Sequence, residues 1–184
     1  VVLVDDVSAL VARAQSSDAD AWETLYRRIY PRLIAYATRR LDPDRARDAV
    51  SETMTRAVAK IGGFTAQGGG FEPWLFGICR HVVLDMQRAA GRLAFSPPID
   101  GPGDNPEPTA GLEQAEETAA VRRAFERLSD SDRELLELRV VAGLSADEVA
   151  QVLGRRPGAV RMAQSRALQR LRQHLEADQC REHA

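Results

Sequence analysis

Residues 143–172 read GLSADEVAQVLGRRPGAVRMAQSRALQRLR, and two helical patterns meet there at Gly154. Ser145 can cap the first helix, and Glu148 three residues on completes a capping box. Leu144, Val149, Val152 and Leu153 give that helix an apolar side. Pro157 suits the first turn of the second helix, where its missing N–H costs nothing. Val160, Ala163, Ala167, Leu171 and Leu175 then form a stripe at spacings of three and four. Arg161, Met162, Ser165, Arg166, Gln169 and Arg172 point away from that stripe. A short helix, a tight turn and a second helix with a cationic outer face make a helix-turn-helix. Arg155, Arg156, Arg161, Arg166, Arg170 and Arg172 lie in a stretch with no acid between Glu148 and Glu176. Such a concentration can meet phosphates, and single arginines can fork onto guanine edges. On this pattern alone, a helical hairpin with a solvated basic face stays open beside the DNA reader.

The composition sets outer bounds. The 184 residues suffice for one or two domains, and 44% hydrophobic with 28% charged content is ordinary for a globular protein. The formal net charge is −2, so a nucleic-acid surface must be local. Among 25 basic residues only Lys60 is lysine. Arginine makes bidentate contacts that lysine cannot, but a GC-rich genome gives the same bias. Cys79 and Cys180 are far apart, which argues against a disulfide framework, and no metal-ligand spacing is present. Cys79 reads as a small core residue. No apolar run approaches membrane-spanning length, and the start VVLVDDVSAL has no basic n-region, so cytoplasmic residence is expected. No nucleophile, metal or paired-carboxylate arrangement stands out, so no catalytic residue, metal or cofactor is expected.

Ahead of the helix-turn-helix the chain also reads as helices. Residues 6–15 form a short one, and Asp18 or Asp20 can cap a longer one whose pattern includes Pro31, a residue expected to kink or divide it. Asp42-Pro43 marks the next start, and Gly62-Gly63 its end. The loop FTAQGGGFE lacks the lysine and hydroxyl of a phosphate-binding loop. Pro73 opens a further helix whose exposed edge carries Arg80, His81, Gln87 and Arg88 near Phe64, Phe71, Trp74 and Phe76. Cationic groups beside aromatics suit unstacked bases. Trp74 and Phe76 read as core, and Phe64 and Phe71, which flank the loop, less so. The segment SPPIDGPGDNPEPTAG, rich in proline and glycine and net acidic, reads as a flexible linker. A helix from Leu112 to Leu128 follows, then one capped by Ser129 or Ser131 and ended by Gly143. The tail after Leu175 is expected to fray. The fold is therefore all-α, with two small helical domains.

The order of these parts resembles the extracytoplasmic-function (ECF) sigma factors of the bacterial sigma-70 family. The strings LYRRIYPRL (25–33), DAVSETMTRAV (48–58), WLFGICRHVVLD (74–85) and LELRVVAGLSADEVAQVLG (136–154) carry the resemblance, and their order makes it specific. Residues 9–92 look like sigma region 2 and 113–176 like region 4. The chain then divides into 1–95, a linker over 96–112, and 113–184.

The resemblance implies a protein without chemistry of its own that binds core RNA polymerase and directs it to promoters. It implies a polymerase-docking face at Asp48, Ser51, Glu52, Met54 and Arg56, aimed at the β′ clamp helices, with the β flap as a further contact. For the −10 element it implies Phe64, Gln67, Phe71, Arg80, His81 and Arg88. For the −35 element it implies Arg161, Met162, Ser165 and Arg166 at base-proximal positions and Arg139 at a phosphate-contacting one; Arg155 and Arg156 belong to the same DNA-binding surface, and Arg156, which replaces a typical cap, can instead touch phosphate. His81 stands where the family usually has asparagine, and Met162 where a small polar residue is common. An anti-sigma factor, often membrane-bound, is the further partner implied. The competing reading is a stand-alone helix-turn-helix regulator, but residues 9–92 offer neither a heptad seam nor a pocket signature for one. An enzyme is the third and weakest reading.

Overall fold

A computed structural model describes residues 7–66, 69–93 and 112–182. Helix α1 (Val7–Gln15) places Leu10, Val11 and Ala14 against helix α2 (Ala19–Thr38). Between them Ser17 adopts a left-handed conformation, φ 65°. Asp18 then caps α2, its carboxylate accepting from the backbone N–H groups of Asp20 and Ala21. Pro31 lies inside α2, which runs through it undivided. A mid-helix proline costs about 3 kcal/mol. Burial of Leu25, Ile29, Leu33 and Tyr36 outweighs that, at about 1.5–3 kcal/mol for each aliphatic side chain.

Asp42 caps α3 (Pro43–Lys60) by accepting from Arg45 N, and Pro43 occupies the first turn as expected. A 3-10 turn over Ile61–Gly63 ends it. Helix α4 (Phe71–Leu93) starts two residues before Pro73. The expected start was late because proline is tolerated throughout a first turn, whose N–H groups have no intrahelical partner. Helices α2, α3 and α4 pack together around Val50, Leu75, Phe76 and Cys79. Burial pushes the Cys79 thiol up to about 11, so it sits as a neutral core group.

The second domain begins with α5 (Leu112–Glu126). Ser129 caps α6 (Asp130–Val140), α7 spans Ala146–Leu153 and α8 spans Pro157–Glu182. Arg170 forks onto the buried Asp132 with two bonds of 2.9 Å, tying α8 to α6. Arg127 holds the buried Asp178 at 2.6 Å. That second tie lies beyond Leu175, where fraying was expected, and α8 continues to Glu182. The sequence pattern there is polar because the residues that anchor the tail are an acid and an arginine, not an apolar stripe.

The all-α expectation holds, and no strand occurs among the described residues. The linker expected at 96–112 lies outside them apart from Leu112. The two domains are packed on one another. The apolar core runs without a break from Leu10 to Ala167, and α7 lies directly against α4. Among the described residues no helix is long and apolar enough to cross a membrane.

Candidate nucleic-acid interface

The helix-turn-helix is built as its sequence dictates. Ser145 accepts from Glu148 N while the Glu148 carboxylate accepts from Ser145 N at 2.7 Å, completing the capping box. Gly154 closes α7 with φ 63°, a conformation that a Cβ would strain. Val160 and Ala167 anchor α8 in the core, and Ala163 and Leu171 pack partly against it. Arg155, Arg156, Arg161, Met162, Ser165 and Arg166 are all exposed on the remaining face. Met162, at 60% exposure, is among the most open large apolar side chains described. Arg161 reaches only an exposed partner, Asp147, at 3.2 Å.

Two arginines depart from the simple picture. Arg139 is half-buried and internal: it donates to Gln164 Oε1 at 2.9 Å and to the Leu144 carbonyl. It braces the turn into α7, and its guanidinium is already occupied. Arg170 is exposed, but its guanidinium is forked onto the Asp132 carboxylate and its charge is already paired.

The second surface surrounds the loop before α4. A cavity of about 440 Å³ opens there, lined by Phe64, Gly70, Trp74, Ile78 and His81 from one side. Arg56 and Lys60 of α3 also line it. The rings of Phe64 and Trp74 lie 5.0 Å apart at their centroids, and Phe71 packs on both. Phe71 itself is only 4% exposed, with Trp22 on a further edge. The expectation that Phe71 meets bases is therefore corrected: its ring is a support on which Phe64 and Trp74 rest. Phe76 is core, as read from the sequence, whereas Trp74 is half-buried and lines the cavity. His81 is exposed, its Nδ1 2.6 Å from the Gly77 carbonyl, and Arg88 is exposed beside Asp85. Gln67 lies outside the described residues. The sequence reading missed Lys60 and Thr65 at this cavity. Lys60 ends α3, and only the turn that follows brings it to the mouth.

On α3, Asp48 and Ser51 are exposed, and Glu52 and Arg56 are half-exposed and paired at 2.7 Å. Met54 belongs to another side of the helix, packed partly into the core. The five expected docking residues thus form a face of four with Met54 beneath it.

The cavity and the helix-turn-helix meet. Gln151 and Val152 of α7 form the cavity's opposite wall. At Gly69, φ 109°, an added Cβ would lie 1.8 Å from Gln151 Nε2, so the loop passes directly over that side chain. Three arginines of the first domain reach the second. Arg80 forks onto Glu134 at 2.8 and 3.3 Å. Arg40 faces Glu137 at 2.5 Å with both side chains largely buried, 12% and 6% exposed. That contact lacks hydrogen-bond angles, and its two atoms have no other partner, so it is a close ion pair only. Arg32 donates to the Ala142 carbonyl at 2.7 Å and to Glu72 at 2.6 Å. Sequence reading offered no signal for these pairs, because their members lie far apart along the chain.

Comparison with known proteins bears on both surfaces. Residues 25–93 match the family profile described as sigma-70 region 2, and residues 118–171 match that described as sigma-70, region 4. The chain is 37% identical over 178 residues to the ECF RNA polymerase sigma factor ShbA of Streptomyces griseus subsp. griseus, covering 90% of this chain and 93% of that protein. A solved structure of CnrH in complex with the cytosolic domain of CnrY aligns with a TM-score of 0.69 at 26% identity, over 94% of this chain and 99% of that one. The sigma factor RpoE of Bartonella quintana, in complex with the anti-sigma factor NepR, aligns with a TM-score of 0.67 at 26% identity, over 85% and 97%.

Proposed function

The chain belongs to the ECF sigma factors of the sigma-70 family, and from that membership we propose a division of labour among its surfaces. The exposed face of α8 reads the −35 element in the major groove, with Arg161, Met162, Ser165 and Arg166 nearest the bases and Arg155 and Arg156 on phosphates. The cavity between Phe64, Trp74 and His81 takes an unstacked base of the −10 element, with Lys60, Arg80 and Arg88 along the strand. Asp48, Ser51, Glu52 and Arg56 of α3 dock on the clamp helices of polymerase, and region 4 meets the flap. Arg139 serves as a brace for α7, and Phe71 as a support for the cavity wall. The chain supplies specificity and no chemistry, and it works where polymerase works, in the cytoplasm.

The observation that carries this reading is the pairing of two unlike surfaces on one chain. One is a capped helix-turn-helix with an open cationic face; the other is an aromatic cavity edged by cations. A reader of duplex DNA alone would need only the first. The similar structure of the sigma factor RpoE in complex with the anti-sigma factor NepR supports an anti-sigma factor as a further partner here.

The test is transcription in vitro from a genomic promoter pool with purified core polymerase, with and without the chain. Discrete new start sites sharing upstream −35 and −10 elements are expected. Tight binding of the chain alone to duplex DNA, with no new start sites, would replace this reading with a stand-alone regulator.

A further inference from the structure

The turn that carries Phe64 to the base cavity is held from outside by a residue of α1. After Lys60 the chain passes through one 3-10 turn, Ile61–Gly63, and leaves it at Phe64 in an extended conformation, φ −69° and ψ 131°. Ile61 is buried and anchors the start. Gly62 and Gly63 are exposed, and a Cβ added to either would meet nothing within 4 Å, so no neighbour confines them on that side. Glycine leaves the backbone its widest freedom. The Phe64 N–H closes the turn by donating to the Ile61 carbonyl at 3.0 Å. The Gln15 side-chain amide donates to that same carbonyl at 2.9 Å and to the Phe64 carbonyl at 2.8 Å. A primary amide carries two N–H donors, and the two carbonyls take one each. Phe64 is thus held at its N–H and at its C=O.

Phe64 stands between two openings. In front is the base cavity, where its ring lies 5.0 Å from that of Trp74. Behind is a second cavity of about 430 Å³, lined by Val11, Ala12 and Gln15 of α1 together with Phe64 and Phe71. A half-buried ring on a glycine-rich turn has room to swing toward either. We propose that Gln15 is a positioning residue for the −10 element: by fixing both backbone polar groups of Phe64 it keeps the ring on the base side, and so sets how sharply the cavity discriminates among bases. Gln15 does not line the base cavity itself. It acts from α1, which lies outside the residues 25–93 matched to region 2. Its own seat is firm. Leu10, Val11 and Ala14 are buried under α1, and Arg13 pairs with Asp18 at 2.8 Å across the turn that follows. This role rests on the −10 assignment made above for the cavity of Phe64, Trp74 and His81.

The test uses the full chain with core polymerase and reads promoter discrimination. This is the ratio of transcription from a parent promoter to that from one with a single changed −10 base, set beside the same ratio for a changed −35 base. A ratio cancels the active fraction of protein, so lost stability alone does not move it. Gln15→Met keeps the side chain's length and helix propensity and removes the donor. It is expected to reduce discrimination at the −10 element about three- to tenfold, the size of one to two net hydrogen bonds. Discrimination at the −35 element and affinity for core polymerase should stay at wild-type values. Adding Gly62→Ala and Gly63→Ala should recover part of the loss. Neither glycine has a positive φ or a neighbour that a Cβ would strike, so alanine stiffens the turn without strain.

Unchanged −10 discrimination in Gln15→Met overturns the positioning role. So does an equal fall at both elements, or a loss that the stiffened turn leaves untouched. Phe64→Ala and His81→Ala separate this role from the assignment beneath it. If neither alters −10 discrimination, the base cavity is misplaced and the proposed function loses its −10 half. If either does while Gln15→Met does not, that assignment stands and only the role of Gln15 falls.

Discussion

At the scale of single residues, magnitudes decide which contacts are available to DNA. Arg161 is paired with Asp147, but both are more than half exposed, and such a pair contributes only about 0–1 kcal/mol. A bidentate contact to a guanine edge contributes about 1–3 kcal/mol. The guanidinium can therefore leave Asp147 for a base. Arg161→Ala is expected to weaken discrimination at the −35 element by about 1–3 kcal/mol and to leave core binding unchanged. Competition between promoter variants in transcription reads the first, and direct titration of polymerase the second; a loss of polymerase binding would move the DNA reader elsewhere. Arg170 and Arg139 show what the sequence could not reveal. Both look like members of the cationic stretch or its approach, and both already hold partners within the chain: Arg170, though exposed, is forked onto Asp132, and half-buried Arg139 donates to Gln164 and the Leu144 carbonyl. Charge runs report composition, while direction depends on which acids the fold brings near. Ser17 is a different case. Its left-handed backbone costs an L-residue about 1–2 kcal/mol, against the extra chain entropy of about 0.5–1 kcal/mol that a glycine loses. Ser17→Gly should stabilise the chain by up to about 1 kcal/mol, visible as a raised Tm; a lowered Tm would mean that the serine makes a contact worth more than the strain.

At the scale of elements, the sequence was most legible where local chemistry acts alone. Asp42 and Ser145 cap the helices they were expected to start, and of the alternatives Asp18 or Asp20 and Ser129 or Ser131 the first caps in each case, since a cap needs only the three or four residues after it. The aromatic cluster was less legible. Phe64, Phe71 and Trp74 lie within one loop and one turn of helix, but which ring is buried depends on Trp22 in α2, which arrives from another part of the chain. Helix α3 illustrates how one element serves two surfaces. Its Asp48–Glu52 face is open, while Arg56 and Lys60 lean toward the cavity. The Glu52–Arg56 pair, half-exposed and four residues apart, adds only about 0.3–0.5 kcal/mol to the helix. Reversing the charge, Glu52→Lys, should therefore leave the fold intact and weaken core polymerase binding. Surface-immobilised polymerase titrated with both proteins measures this, and equal affinities would place the docking face off α3.

At the scale of the whole molecule, the two-domain plan was legible from the change of composition around residue 100, but the packing of one domain on the other was not. The pairs that make it join α2 to the turn after α6, the turn after α2 to α6, and α4 to α6, and no periodicity or motif links those segments. Glu137 lies at the centre of that contact and gives it a pH dependence. Burial pushes its carboxyl up from the ordinary 4.5 to about 6; Arg40, Arg39 and Arg133 pull the other way more weakly, and Glu134 adds to the rise. A raised value in the packed form means that the packed form binds the proton more tightly than an open form with an exposed, ordinary Glu137. The resulting preference for packing is complete below pH 4.5 and is lost as the pH rises through about 6. Its ceiling is about 2 kcal/mol, at about 1.4 kcal/mol per unit. At neutral pH the charge on Glu137 is thus held at a cost that Arg40 only partly offsets. Scattering at pH 7.5 and at 5.5 should show the more compact ensemble at the lower pH, with the difference reduced in Glu137→Gln, which cannot titrate. A radius that grows on acidification would mean that the attraction of Arg40 outweighs the desolvation of Glu137, and that acid opens the molecule instead of closing it.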